Sequence, residues 1–342
     1  MLRKETLSAD YINEGTLRRP SYILSRVSDG ETRMYCKEGL RGEHFTWYPG
    51  VTAVNDAVVP NTGLMWWYLK HGIAQAKRYR DERCSFGSLM HRCFADVVFS
   101  GKIDYDTLPA IITAHFDIEH LRYNLLEWTE ELSKDLTSFA WWVKTANVVF
   151  HAIEIPVCSD ILHIATQVDF ICEMDWKVKG FFGEEYKSGP RKGEPKETTK
   201  IVRALGIGDA KSKLKANKDD KDASFTSPKS NAVQLAFCDA LVKENFPDLY
   251  AQYEHVVLFN WHPVNWRTEP DAHIVNQSDK IPYWKLEAYS RLYHDEHDLS
   301  QKISLSFTGT YELGGDMPLT DHYTSESWQE FAEREHDEED AA

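Results

Sequence analysis

The chain of 342 residues is 42% hydrophobic and 13% aromatic, which is enough apolar material for one large core or two smaller ones. Its composition therefore argues against disorder of the whole chain. No apolar run approaches the roughly 20 residues that span a bilayer, and the N-terminal sequence MLRKETLSADY lacks an apolar signal-peptide core. We expect a soluble cytoplasmic protein without a membrane partner.

The formal net charge of −15 argues against a nucleic-acid partner, because phosphate binding is driven by Lys and Arg. The charge is unevenly distributed, however. Residues 177–218 are rich in Lys and Arg, whereas residues 326–340 are strongly acidic. Taken alone, the basic stretch is typical of a solvated flexible loop, and only the motif that it contains gives it a second interpretation.

The first half of the chain predicts helices. Residues 1–45 show no clear periodicity, TGLMWWYLKH (62–71) indicates a first helix, and a second covers Phe86–Phe99, where apolar residues recur every four positions before Gly101. A long helical region is expected over 108–143. Its expected core anchors are Trp128, Phe139, Trp141 and Trp142.

From residue 148 the pattern changes to short β-branched runs that predict strands. These runs cover 148–157, 161–172, 203–214 and 255–263. The segment Gly180–Thr199 is rich in Gly, Pro and Lys and predicts an exposed insertion. A helix follows Pro228, and a last one is expected over 284–293. The order of elements predicts an α/β fold with a central mixed sheet flanked by helices and an N-terminal helical elaboration.

The run GIGDAKSK contains two of the candidate catalytic residues. Asp209 and Lys211 are two residues apart, so on a strand their side chains share one face. Asp169 and Glu154 lie in apolar strand contexts, where burial is costly unless the acids bind a cation or each other. Such acids suit Mg²⁺ or Mn²⁺, which activates water for phosphodiester hydrolysis, while a lysine orients or helps deprotonate that water.

A single DxK occurs by chance in many proteins, so the order of several motifs matters more than the tripeptide. That order is FGSLMH (86–91), AIE (152–154), TQVDF (166–170), GDAK (208–211) and NAVQLAFCDAL (231–241). It resembles the RecB-like branch of the PD-(D/E)XK nucleases. WYPGVTAV (47–54), followed by GLMWWYLKHG, is similar to the opening of phage-encoded exonucleases of this branch. The resemblance covers roughly residues 45–300 and implies a restriction-endonuclease-like fold.

The resemblance divides the chain into an N-terminal extension (1–45), a nuclease domain (46–300) and a C-terminal segment with the acidic tail (301–342). The nuclease domain would contain a helical part over 62–143, a sheet core over 148–263 and a basic insertion over 177–203.

Roles for individual residues follow from the same resemblance. The implied metal ligands are His91, Asp169 and Asp209. The implied catalytic residues are Asp169, Asp209, Lys211, Glu154 and Gln234, with Gln234 steadying the lysine or the DNA strand. The spacing from Asp169 to Asp209 is longer than usual, and the second acid is Asp rather than Glu. Another strand register would instead select Asp175, Glu184 or Glu185.

The basic stretch supplies the expected DNA contacts, which are Lys187, Arg191, Lys192, Lys213 and Lys215. Trp66 and Trp67 could stack on bases, although core packing is the stronger expectation for at least one of them. Structural alternatives also stay open for the site. His91 could pack at a helix surface, Gln234 could be an ordinary exposed residue and Glu154 could pair with a lysine.

The expected function is a Mg²⁺-dependent deoxyribonuclease, and no basic recognition helix or paired zinc ligands suggest reading of base edges. This favours an exonuclease that degrades DNA from ends in recombination, repair or phage DNA metabolism. DNA is the expected partner, and a single-strand annealing or helicase protein is a candidate second one. Two alternatives are a non-catalytic DNA-binding recombination or replication factor with a degenerate site, and an interaction protein whose basic loop binds an acidic partner.

Overall fold

The computed structural model describes residues 3–28, 33–38, 45–59, 68–118, 123–212, 229–264, 273–297, 303–307 and 323–327. The strands are β1 (Arg3–Thr6), β2 (Tyr11–Ile12), β3 (Ile23–Ser28), β4 (Arg33–Glu38), β5 (Phe45–Pro49), β6 (Val149–Ser159), β7 (Ile164–Glu185), β8 (Pro195–Ala210), β9 (Val256–Pro263), β10 (His273–Gln277), β11 (Ile303–Phe307) and β12 (Tyr323–Ser327). The helices are α1 (Val51–Val58), α2 (Ile73–Ser100), α3 (Leu108–Ile118), α4 (Leu125–Thr145), α5 (Lys229–Asn245), α6 (Pro247–Tyr250) and α7 (Tyr283–Glu296), with a 3₁₀ turn at Tyr105–Thr107.

A six-stranded mixed sheet forms the centre of the fold, in the order β10-β9-β8-β7-β6-β2. Its neighbouring strands are antiparallel except β8 and β9, which run parallel. Parallel neighbours need a crossover connection, and α5 lies in the segment that joins these two strands. The predicted α/β class with a mixed sheet flanked by helices is therefore confirmed.

Helices cover both faces of this sheet and create two apolar cores. The first core lies under α2, α3 and α4, where the Phe94 and Phe139 rings stack at a centroid distance of 4.0 Å. The second core lies under α1, α5 and α7 and contains Val233, Phe237 and Leu241 of the helix expected after Pro228. Burial on both faces explains why the strands appear in the sequence as nearly continuous apolar runs.

The two glycines before Asp209 are required by a close approach of strands β8 and β9. A Cβ atom added at Gly206 would lie 2.9 Å from Phe259 Cε1, and one added at Gly208 would come closer still to the same ring. The Phe259 ring therefore lies against bare backbone. This contact fixes the end of β8, from which Asp209 and Lys211 project.

Several predicted elements differ from those observed. The segment Gly180–Thr199 is exposed, as expected, but it contains strands that its Gly- and Pro-rich sequence did not predict, because β7 and β8 continue through much of it as a long hairpin. The single helical region over 108–143 is divided into α3 and α4. Trp141 is 44% exposed and is not a core anchor, whereas Trp128, Phe139 and Trp142 are buried.

The N-terminal extension contains strands that the sequence did not predict. Strands β1, β3, β4 and β5 form a four-stranded antiparallel sheet, and β2 joins the edge of the mixed sheet. Of the predicted helix over 62–71, only residues 68–71 are described, and they are helical. Most of the acidic tail lies outside the described residues. None of the helices in the described ranges combines the length and apolar character needed to cross a membrane.

Asp135 on α4 is a buried acid in the first core and leads to a prediction about stability. Its side chain is 1% exposed, and Oδ2 has no hydrogen-bond partner among the described residues. Burial, reinforced by the charge of Glu131, raises the pKa of Asp135 well above its usual range, against the opposing effect of Arg83. The folded state therefore holds this proton more tightly than the unfolded chain does.

We expect Asp135→Asn to stabilise the protein by about 1–3 kcal/mol at neutral pH, because the variant has no carboxyl group to ionise on unfolding. Below the unfolded-state pKa of about 4 both states are protonated, so the advantage should vanish there and grow as the pH rises. Urea unfolding of both proteins across this pH range measures the difference. A stability difference between Asp135→Asn and wild type that does not change with pH would contradict the raised pKa of Asp135.

Candidate functional site

A row of polar residues crosses the mixed sheet at one level. Glu154 on β6 lies opposite Asp169 on β7, between two registered strand pairs. Asp169 in turn faces Asp209 on β8, one position beyond the last registered pair of those strands. Asn260 continues the row on β9, and Asp10 precedes it one position before β2. Neighbouring side chains at one level of a sheet lie close together, so three acids converge at its centre.

The backbone at Glu154 explains how this row reaches both helical layers. Glu154 has a φ of 53°, which is uncommon for a residue other than glycine and costs about 1–3 kcal/mol. Ile153 packs in the first core and Ile155 in the second, so the side-chain alternation is interrupted at Glu154. Phe170 and Val168 divide in the same way on β7. The acid pair therefore lies where side chains from α2 and α5 can both approach.

His91 on α2 contacts the acids from the side of the first core. Its Nδ1 donates to Glu154 Oε1 at 2.6 Å, and its Nε2 lies 3.2 Å from the carbonyl oxygen of Ala210 and 3.8 Å from Asp169 Oδ2. The backbone N–H of Ala210 donates to the same Asp169 oxygen at 2.8 Å. Asp169 is thus fixed by β8 and faces the imidazole.

Lys211 and Gln234 approach from the opposite side. Lys211 Nζ lies 2.8 Å and 2.7 Å from the two carboxylate oxygens of Asp209. Gln234 on α5 donates from Nε2 to Asp209 Oδ1 at 2.9 Å, and its Oε1 accepts from Lys211 Nζ at 3.3 Å. Each of the three side chains contacts the other two. The lysine ammonium is therefore held in one place, while 30% of the side chain remains exposed.

The electrostatics of the site follow from burying several carboxylates together. Burial raises the pKa of Asp169 to about 6 and that of Asp209 to about 6, although His91 and Lys211 oppose the rise. Burial would lower the pKa of His91, but Asp169 and Glu154 outweigh it and raise that pKa to about 10. Burial likewise disfavours the charged form of Lys211, yet Asp209 and Asp169 raise the pKa of Lys211. The cluster attracts positive charge strongly.

Three of these residues could hold a metal ion. Potential ligand atoms of His91, Glu154 and Asp169 all lie within 4.8 Å of one another. Adjacent ligands of an octahedral cation at about 2.1 Å lie about 3.0 Å apart, so His91 Nε2 and Asp169 Oδ2, now 3.8 Å apart, would have to approach each other when a cation binds. Glu154, bonded to Nδ1, is placed to orient the imidazole for this role.

Of the three expected ligands, His91 and Asp169 lie together, whereas Asp209 lies at the lysine. Glu154 groups with His91 and Asp169, whereas both oxygens of Asp209 contact Lys211 and one also accepts from Gln234. Asp209 is the most buried acid of the row, with 5% of its side chain exposed. Its place at the lysine follows directly from the two-residue spacing on β8.

The basic residues expected around the site lie elsewhere. Lys187, Arg191 and Lys192 are exposed in the turn that joins β7 to β8, at the end of the hairpin farthest from Asp169. Arg191 is occupied there by Glu194, at 2.7 Å, and lies over the ring of Tyr186. The other predicted members, Lys213, Lys215, Trp66 and Trp67, lie outside the described residues.

The alternative acids are separated from His91 as well. Asp175 pairs with Arg203 at 3.2 Å and accepts from Asn147 at 2.6 Å. Glu184 and Glu185 are exposed near the end of β7. The strand register therefore selects Asp169.

Asp10 is the site residue that sequence reasoning missed. Its backbone N–H donates to the carbonyl oxygen of Ile153 at 3.1 Å, which places it beside Glu154. Burial raises the pKa of Asp10, while Arg92 and His91 lower it. A strand of only two residues follows Asp10, and so short an element leaves no periodicity to recognise.

No protein-family model matches the chain, and neither a curated protein nor a solved structure shows significant similarity to it. The interpretation of the site therefore depends on its residues and their geometry.

Proposed function

We propose that the chain is a Mg²⁺-dependent deoxyribonuclease with a restriction-endonuclease-like fold. The observation that carries this proposal is the convergence of a histidine, three carboxylates, a lysine and a glutamine from α2, β6, β7, the end of β8 and α5. These are the groups that hydrolysis of a phosphodiester needs, since its negative charge must be neutralised and its attacking water positioned.

His91 and Asp169 would hold the cation, and Glu154 would orient His91. A Mg²⁺ or Mn²⁺ ion bound there supplies neutralisation of the phosphate charge and a lower pKa for a coordinated water. Glu154 contributes without direct coordination, because its bond to Nδ1 turns Nε2 toward Asp169.

Lys211 would act on the attacking water. Its ammonium is anchored by Asp209 and Gln234 and is partly exposed, so a hydrogen-bond donor is held at the open side of the site. In this role the Lys211 ammonium would donate a hydrogen bond that orients the water, because a lysine whose pKa is raised keeps its proton. Gln234 keeps the lysine in register with the acids and is a positioning residue.

The wider biological role follows from the resemblance of the motifs to RecB-like nucleases. We infer digestion of DNA from its ends in recombination, repair or phage DNA metabolism. The reaction would take place in the cytoplasm, with a single-strand annealing or helicase protein as a partner. Lys187 and Lys192 would contact DNA away from the site, and Lys213 and Lys215 are further proposed DNA contacts.

The test is digestion of end-labelled linear duplex, linear single strand and covalently closed circular DNA of one sequence, in Mg²⁺ and in EDTA. We expect Mg²⁺-dependent loss of the linear substrates from their ends and survival of the closed circle, because the closed circle offers no terminus to an enzyme that digests from ends. Discrete fragments from the circle would contradict digestion from ends. Binding of DNA without any cleavage would instead support a non-catalytic DNA-binding factor.

A further inference from the structure

The long hairpin of β7 and β8 extends beyond the rest of the mixed sheet. Strand β6 pairs with β7 only as far as Glu173, and β9 pairs with β8 only from Leu205 onward. Beyond these points the two strands pair with each other, through Glu185 and Pro195. We call residues 176–202 the ribbon. Trp176 and Val202 at its base pack against the first core, but most of its side chains are exposed, so the rest of the ribbon is a projecting arm.

The ribbon is basic in a chain that is strongly acidic. It contains seven Lys or Arg residues and four Glu residues, whereas the whole chain has a formal net charge of −15. Only Arg191 is bound to one of these acids among the ion pairs given for the described residues. The ribbon therefore presents positive charge away from the acidic remainder of the molecule, which suits a polyanion.

Both faces of the ribbon combine lysine with exposed apolar rings or chains. Strand pairing places Lys177, Lys179 and Phe181 on one face, where Phe181 is 68% exposed. Lys200 lies on the other face, with its Nζ 5.9 Å from the centre of the half-exposed Phe182 ring. Aromatic rings interleaved with cations are the arrangement on which the bases of a single strand stack while its phosphates are neutralised.

We propose that the ribbon binds single-stranded DNA that extends past the cleavage centre. This inference rests on the proposed function, because it assigns a second contact to the same substrate. The ribbon then determines how strongly a long strand is held, whereas the site determines where it is cut.

Protection of a free sheet edge is the alternative explanation for the lysines. Edge strands often carry lysine because its charge prevents pairing with other chains. That explanation does not account for Phe181 and Ile201, which are 68% and 59% exposed beside those lysines. Exposed apolar side chains promote association instead of preventing it. A stacking surface accounts for the rings and the lysines together.

The position of the ribbon predicts dependence on DNA length. Its first residue is seven positions from Asp169 along β7, which is roughly 20 Å at about 3.3 Å per residue. The end of β7 is, by the same spacing, up to about 50 Å from Asp169. A short oligonucleotide that fills the site cannot also reach the ribbon, but a longer strand can.

The test compares Lys177→Glu/Lys179→Glu and Phe181→Ala with the wild-type protein. Fluorescence anisotropy in EDTA measures binding of labelled oligothymidylates of about 4 and about 30 nucleotides, the shorter being at the lower limit of typical single-strand sites. We expect each variant to lose roughly tenfold or more in affinity for the long strand, and less than about twofold for the short one. The double lysine variant should also show a weaker dependence of affinity on salt.

The control is Lys70→Glu/Lys102→Glu, which makes the same change of net charge at exposed lysines outside the ribbon. It should retain most of the binding to the long strand. Equal losses in both double variants, or unchanged binding in the ribbon variants, would overturn the proposal. Dimers that dissociate in the Phe181→Ala variant without any loss of DNA binding would also overturn it, in favour of a self-association surface.

Because binding is measured without Mg²⁺, this experiment is independent of cleavage. A wild-type protein that binds the long strand through the ribbon but never cuts DNA would refute the proposed nuclease and support the ribbon. Ribbon variants that cut DNA normally and bind long strands as tightly as the wild type would instead refute the role of the ribbon and support the proposed nuclease.

Discussion

Replacing Asp209 by Asn is expected to reduce the rate of DNA cleavage by at least about 100-fold while the protein remains folded. The amide has the shape of the carboxylate and can still accept from Lys211 and Gln234, which both contact Asp209 Oδ1. The substitution removes a negative charge. In the wild-type protein that charge holds the Lys211 ammonium and also helps to attract a cation. Asp169→Asn should have a similar effect, because Asp169 faces His91 directly. Single-turnover cleavage in Mg²⁺ measures both losses.

Asp175→Asn is the matched control for these variants. Asp175 is an acid on the same strand as Asp169, but its partners are Arg203 and Asn147 at the base of the ribbon. Its removal should leave cleavage of a short substrate within about twofold of wild type. If Asp175→Asn abolishes cleavage and Asp209→Asn does not, the reacting phosphate binds elsewhere on β7.

Much of the site could be predicted because it lies on strands with strong sequence patterns. An acid inside an apolar run is conspicuous, and the two-residue spacing of Asp209 and Lys211 puts both side chains on one face. The hairpin of β6 and β7 then brings Glu154 opposite Asp169. Sequence order alone could not show that Glu154, and not Asp209, hydrogen-bonds to the imidazole of His91. That contact depends on the positive φ at Glu154, which has no pattern in the sequence.

The features that could not be predicted depend on contacts between distant segments. Asp10 joins the site only because β2 pairs with β6, and a two-residue strand carries no recognisable period. The strands of the ribbon could not be predicted, because Gly180, Gly183 and Pro195 normally interrupt strands. Cross-strand pairing with β8 outweighs these local preferences, since β7 and β8 continue with only one irregularity, between Phe181 and Glu185.

Replacing Lys211 should show that this lysine also stabilises the folded protein. Lys211→Met leaves Asp209, with 5% of its side chain exposed, without its cation and with Gln234 as its remaining hydrogen-bond partner among the described residues. Breaking a fully buried pair costs about 3–5 kcal/mol, but Lys211 is partly exposed, so we expect about 1–3 kcal/mol of destabilisation. Turnover should fall at least as far as in Asp209→Asn. Lys102→Met, at an exposed lysine outside the site, should change neither quantity appreciably.

The double variant Asp209→Asn/Lys211→Met separates the structural role of the lysine from its catalytic one. Once the carboxylate is gone, loss of the ammonium no longer leaves a buried charge, so stability should return to within about 1 kcal/mol of wild type while cleavage stays lost. The pH dependence provides a further check. Burial raises the pKa of Asp209 to about 6, so its ionisation lowers stability as the pH rises from about 4 through 6. Without Lys211 that pKa should rise further and extend the loss to higher pH, so urea unfolding should separate Lys211→Met from wild type more at pH 8 than at pH 5. A double variant that recovers cleavage together with stability would show that the pair is structural and that the attacking water is positioned by another group.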